Sequence, residues 1–142
     1  MSPDNVEIVR RSLDQWNQGV GAISAVVRET WEPNADYYPV RKFPDSRPRH
    51  GHDEITRWFS EFIEAWEFVE FVVKRIVAVG DDRVFTHATM NAEGRGAGLS
   101  LHGDIYHCAW LRNGRILRWE DHLTEQGALD ALGVSPRSAH SQ

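Results

Sequence analysis

The chain has 142 residues, with 21 Asp and Glu against 16 Lys and Arg for a formal charge of −5, a length that suits one domain. With 41% hydrophobic and 26% charged residues it is too rich in core-forming side chains to be wholly disordered, and it shows no basic stripe for nucleic acid. No apolar run nears the roughly 18 residues of a membrane span, the single Cys108 excludes an internal disulfide, and "MSPDNVEIVRR" lacks the features of a secretion signal, so a cytoplasmic location is expected.

Ser2-Pro3 reads as a helix start, a capping hydroxyl followed by proline at the first helical position. Val6, Val9, Leu13 and Trp16 then share one helical face, and Asn17 to Gly21 ends the helix. Ile23, Val26, Val27 and Trp31 predict a second helix bounded by Pro33. Between Asn34 and Gly51, Pro39, Pro44 and Pro48 alternate with Arg41, Lys42, Arg47, Arg49 and His50, which predicts one short strand around Tyr37 followed by a solvated loop. Asp53 to Trp66 carries the broad apolar stripe Ile55, Trp58, Phe59, Phe62, Ile63 and Trp66, a third helix packed against a sheet.

From Val69 onward, "VEFVVKRIVAV", "RVFTHATMN", "LSLHGDIYHCAWL" and "RILRWEDHL" predict four antiparallel strands separated by glycine-bearing turns. Thr124 can cap a short last helix that runs through Leu132 to Gly133. The order predicts an α+β fold with helices on one face of the sheet, a single domain over 1–133 and a polar tail over 134–142.

Asn113-Gly114 supplies the two positive φ angles of a two-residue type I′ turn, so Arg112 stands opposite Arg115. An unbroken ladder then sets Trp110 opposite Leu117, Cys108 opposite Trp119, Tyr106 opposite Asp121 and Asp104 opposite Leu123. On this register Asp121 shares an apolar face with two tryptophans, a tyrosine and a cysteine. His107 falls on the other face, with Ile105, Ala109, Leu111, Ile116, Arg118, Glu120 and His122, a more charged set that suits solvent or a subunit interface. Centring the "EGRGAG" turn near Gly96-Ala97 sets His87 opposite Tyr106, Thr89 opposite Asp104 and Asn91 opposite His102. His87, Tyr106 and Asp121 would then form one row across three strands. A carboxyl in an apolar cleft is suited to general acid or base work. The plainer reading of Asp121 is a strand-end polar group bonded to a neighbouring backbone.

The segments "GHDEITRWF", "GDDRVF", "GRGAG", "LRNGRILRWEDHL" and "ALDALG", in this order, resemble the nuclear-transport-factor-2-like superfamily and, within it, the SnoaL-like polyketide cyclase group. The resemblance implies a cone, a strongly curved and largely antiparallel sheet with a mixed edge, wrapped by three N-terminal helices and followed by a short C-terminal helix (a cystatin-like α+β barrel). It also implies a deep pocket for a small molecule and a homodimer through the outer sheet face. Function within such a fold is carried by the site. Matched to ketosteroid isomerase, the chain has Ser12, approximately Tyr38, and Cys108 at the three functional places, so that triad is absent. Trp119-Glu120-Asp121 is similar to the Trp-Arg-Asp of limonene epoxide hydrolase, whereas His87-Ala88-Thr89 stands where that family has Arg-x-Asp. SnoaL-type cyclases place an acid/base aspartate on the last strand, which Asp121 matches.

The expected site therefore has Asp121 moving a proton, His87 or Tyr106 orienting it, and Trp119, Trp110, Cys108, Tyr38, Thr89 and Phe59 holding an apolar substrate, cyclic ones included. Isomerase, cyclase or aldol-type lyase, and hydrolase chemistry all fit, without metal or cofactor, since the seven histidines are scattered and no His-Glu-x-x-His occurs. The alternatives are a non-catalytic small-molecule binder or dimeric assembly protein with the same cone, and an interaction module acting through the outer sheet face.

Overall fold

Helical spacing of apolar residues and the cost of exposing them put three helices against one side of a sheet. They are α1 (Ser2–Trp16), α2 (Val20–Thr30) and α3 (Gly51–Glu64). The strands are β1 (Trp31–Tyr38), β2 (Arg49–His50), β3 (Trp66–Val79), β4 (Arg83–Gly94), β5 (Ser100–Arg112) and β6 (Arg115–His122), with α4 (Glu125–Leu132) last. This is a computed structural model that describes residues 2–18, 20–41, 46–95 and 100–134. Sheet order is β2-β1-β6-β5-β4-β3, antiparallel except for the parallel pair β1–β6. The sheet is open, with β2 and β3 at its edges, so the cone is not a closed barrel. Among the described residues, no helix is long and apolar enough to cross a membrane.

Several boundaries differ from the sequence reading. The second helix stops at Thr30, and Trp31 opens β1, which leaves Pro33 inside a strand. Pro33 is accommodated because pairing of β1 with β6 is interrupted between Trp31 and Asp36, where a missing backbone donor breaks no ladder. The expected loop before α3 contains the short strand β2, paired with Asp36 and Tyr37. Lys42 and the three residues after it, the "EGRGAG" turn centre at Gly96-Ala97 and all of the expected tail except Val134 lie outside the described residues. The fourth helix packs on the face opposite the other three. Its Ala128, Leu129 and Leu132 form a second small core with Val79, Phe85 and Cys108, while Thr124 caps it and Gly133 ends it at φ 74°.

The β4–β5 register is the expected one, with His87 opposite Tyr106, Thr89 opposite Asp104 and Asn91 opposite His102. The last hairpin starts as expected and then departs. Asn113 and Gly114 have φ 53° and 77°, Arg112 faces Arg115 and Leu111 faces Ile116, but Trp110 faces Arg118. Leu117 is thus an extra residue, a β-bulge. Beyond it, His107 faces Asp121 and Tyr106 faces His122. The reason is what each register buries. An unbroken ladder would aim Arg118 and Glu120 into the main core beside Leu111 and Ala109, and uncompensated buried charge is costly. The bulge puts Trp119 there, fully buried, and leaves Arg118 exposed.

α1 is pinned to the β3 edge by Asn17, whose side-chain Nδ2 donates to the Phe71 carbonyl and whose Oδ1 accepts from the Phe71 N–H, both at 2.9 Å. The side chain thereby stands in for a neighbouring strand and sets Trp16 over the sheet. Replacing Asn17 with Ala should lower unfolding free energy by about 1–3 kcal/mol, two net hydrogen bonds' worth. Urea denaturation of the two proteins checks this.

Candidate functional site

Asp121 sits near the end of β6 with its side chain 7% exposed. Three donors converge on it. His107 Nδ1 on β5 lies 2.7 Å from Oδ1, Trp119 Nε1 donates to the same oxygen at 2.9 Å, and the Tyr37 hydroxyl on β1 donates to Oδ2. Trp119 can only donate, and with the Tyr37 hydroxyl donating as well, both oxygens of the Asp121 carboxylate act as acceptors. His107 then carries its proton on Nδ1 and keeps the lone pair on Nε2. The His107 side chain is 1% exposed, and Nε2 is buried with no hydrogen-bond partner among the described residues.

Tyr37, His107 and Asp121 form the polar end of a cavity of about 20 Å³, room for roughly one water molecule. Its other walls are aromatic or apolar: Trp16 from α1, Trp58, Phe59, Phe62 and Ile63 from α3, and Phe71, Met90 and Ile105 from the sheet. Phe62 and Ile63 are the apolar lining residues that are partly exposed. Trp16 resembles His107 in one respect, since its Nε1 is also buried without a hydrogen-bond partner among the described residues. Burial, then the neighbouring Asp121 charge, then the hydrogen bond to that carboxylate hold the Tyr37 hydroxyl pKa well above its usual 10.0.

Of the residues expected at the site, Asp121 and Phe59 line the cavity, and Trp119 is fully buried behind it, packed on Trp16 and His107 at centroid distances of 5.3 and 5.2 Å. The others are elsewhere. His87 and Tyr106 are paired and stacked at 4.7 Å, but on the outer face, where His87 Nε2 meets the exposed Asp104 at 2.9 Å. The expected row with Asp121 does not form, because the Leu117 bulge inverts β5 relative to β6. For the same reason Cys108 lies under α4, its Sγ donating to the Ala128 carbonyl at 3.2 Å, and burial pushes its thiol pKa up. Trp110 sits outside, with the Arg118 guanidinium 5.3 Å from its ring. Thr89 shares the outer face with His87, since successive strand residues alternate. Tyr38 points away from the cavity under the same guanidinium, at 4.3 Å; its neighbour Tyr37 is the cavity residue.

On the outer side, Glu120 is kept below the usual carboxylate range by a hydrogen bond from His122 and, against partial burial, by Arg118. That row borders an open cleft that Asp121 also lines, so this residue is shared by the inner cavity and the outer groove.

Residues 9–119 match the SnoaL-like domain family, and the chain belongs to that family. No curated protein matches it in sequence. Among solved structures it is similar to Bal32a from a soil-derived mobile gene cassette, with 21% identity, TM-score 0.78, and 92% of this chain and 96% of that one covered. It is also similar to a proposed SnoaL-like polyketide cyclase from Jannaschia sp. CCS1, at 19% identity, TM-score 0.76 and 95% of both chains. TerC, co-crystallised with polyporic acid, aligns at 16% identity and TM-score 0.70 over 92% of this chain and 98% of that one. At these identities the likeness is one of fold.

A folded-state Tyr37 pKa above the unfolded value means that stability is fully present below about pH 10 and is lost as pH rises beyond it, because only the unfolded chain then readily releases the proton. Tyr37→Phe should therefore be less stable than wild type at pH 7, by about 1–3 kcal/mol for the donor taken from a buried carboxylate, and lose less stability between pH 9.5 and 11. Urea midpoints of both proteins across that range measure it.

Proposed function

We propose that the chain is a cofactor-independent acid–base enzyme acting on an apolar small molecule, with His107 Nε2 as the atom that takes and returns a proton and Asp121 as the residue that positions it. The observation that carries this reading is the buried, unpartnered Nε2 of a histidine whose Nδ1 is held at 2.7 Å by a carboxylate, at the polar end of an aromatic cavity. A carboxylate on Nδ1 orients the ring, selects the tautomer and stabilises the imidazolium that forms when Nε2 takes a proton. Tyr37 and Trp119 keep the carboxylate from swinging toward a substrate. Isomerisation, aldol-type cyclisation and elimination all begin with proton removal of this kind. The names of the structural neighbours, a proposed polyketide cyclase among them, support a small organic substrate.

One observation favours a second reading, a non-catalytic binder: about 20 Å³ is too little for an organic substrate unless the walls part. The two separate on chemistry. Incubated in deuterated buffer with a panel of enolisable ketones, wild type should incorporate deuterium beside the carbonyl, and His107→Gln should lose about 10²–10⁴-fold of that rate. Asp121→Asn can keep all three contacts, with Nδ2 turned to the Tyr37 hydroxyl. It should fold and fall between the two in kcat with KM little changed. Mass spectrometry reads the exchange. Ligand-induced thermal stabilisation without exchange in any ketone would establish the binder instead.

A further inference from the structure

Two residues that line the cavity each carry a buried polar atom without a hydrogen-bond partner among the described residues. His107 Nε2 is one and is used by the proposed proton transfer. The other, Trp16 Nε1, is a donor only, on a residue 3% exposed, and its N–H has no acceptor among the described residues. Buried N–H groups are rarely left without an acceptor, because the lost hydrogen bonds to water are not regained. The two rings lie edge to face, with centroids 6.3 Å apart at 77°, and both line the same cavity. One is a base and the other a donor to oxygen.

We infer that the cavity binds a planar carbonyl compound with its oxygen on Trp16 Nε1–H, so that Trp16 holds the enolate oxygen while His107 Nε2 takes the neighbouring proton. This deepens the acid–base reading and rests on it for the chemical step. In that step the C–H bond breaks, an N–H bond forms at Nε2, and the electron pair moves through the new C=C bond onto oxygen. The imidazolium is balanced by Asp121, and return of the proton to carbon closes the cycle with no further reagent. A donor aimed where charge develops is worth more in a dry cavity than in water.

Planarity follows from the walls. Trp58 and Phe62 are stacked nearly parallel, 11° apart with centroids at 5.1 Å. Phe62 is partly exposed at the end of α3, whereas Trp58 is buried. If Phe62 turns outward, it leaves an aromatic face of Trp58 that a flat ring covers equally well.

The probes are 2-naphthol, which carries an enol-like oxygen on a flat ring, and 2-methylnaphthalene, which has nearly the same shape without it. The chain has six tryptophans, and the Trp16 indole signal in a ¹H–¹⁵N spectrum is identified by its absence from Trp16→Phe. Binding of 2-naphthol should move that signal downfield, and 2-methylnaphthalene should not. Trp16→Phe should bind 2-naphthol about 3–10-fold more weakly, one hydrogen bond's worth, and 2-methylnaphthalene as wild type does. Equal weakening for both probes, a Trp16 signal unmoved while 2-naphthol binds, or no binding of 2-naphthol would each overturn the inference. Failure of the acid–base reading is seen separately. Ketone exchange that depends on His107 while the Trp16 signal stays still removes this inference alone, whereas a Trp16-bound 2-naphthol without ketone exchange removes the proton transfer and leaves the oxygen site.

Discussion

A carboxylate buried to 7% exposure is the constraint on which the rest of this structure depends. An ionised carboxyl taken from water costs several kcal/mol unless donors replace the lost hydration. Asp121 receives them from three strands: Tyr37 of β1, His107 of β5 and Trp119 of β6. Those strands are neighbours only because β1 runs parallel to β6, with Tyr37 beside Trp119, while β5 places His107 opposite Asp121. The same sheet order that closes the core therefore assembles the polar end of the cavity. Moving any one strand would leave a buried charge short of a partner.

The Leu117 bulge joins folding to chemistry. It is the local irregularity that allows Trp119 to enter the core and Arg118 and Glu120 to remain outside, and as a by-product it turns Asp121 inward to meet His107. A hairpin dictated by its turn alone would have brought Tyr106 and Cys108 to the carboxylate, two groups that are weak bases near neutral pH. The bulge exchanges them for an imidazole. Bulges recur beside functional sites for this reason, since one added residue re-aims every side chain beyond it.

The two faces of the sheet have different electrostatic standing. On the outer face, His87 with Asp104 and Arg118 with Glu120 are pairs in contact with water, and such pairs contribute little to stability. Inside, the same kind of pair between His107 and Asp121 is shielded by the aromatic walls. This is why the inner dyad, and not the more numerous outer histidines, carries the functional reading of this SnoaL-like domain.

Much of the fold is legible in the chain itself. The apolar spacing of the helices, the Asn113-Gly114 turn, the Thr124 and Gly133 caps and the register that pairs His87 with Tyr106 are local consequences of side-chain shape and backbone preference. Asp121 and Phe59 also stand out as residues of an apolar face. What the sequence does not carry locally is which side each strand presents. Strands alternate with period two, so a one-residue slip exchanges inside for outside, as with Tyr38 for Tyr37 and with the Tyr106, Cys108 and Trp110 set for His107. A signal was present in the apolar row Ile105, Ala109, Leu111 and Ile116, with His107 the one polar residue between Ile105 and Leu111. Weighing it requires knowing that Trp119 must be buried and Arg118 must not. That balance is struck across the whole core. The sequence by itself determined the elements and their order, and the tertiary structure decided the faces, because burial is a property of the assembled sheet and helices and of no single hairpin.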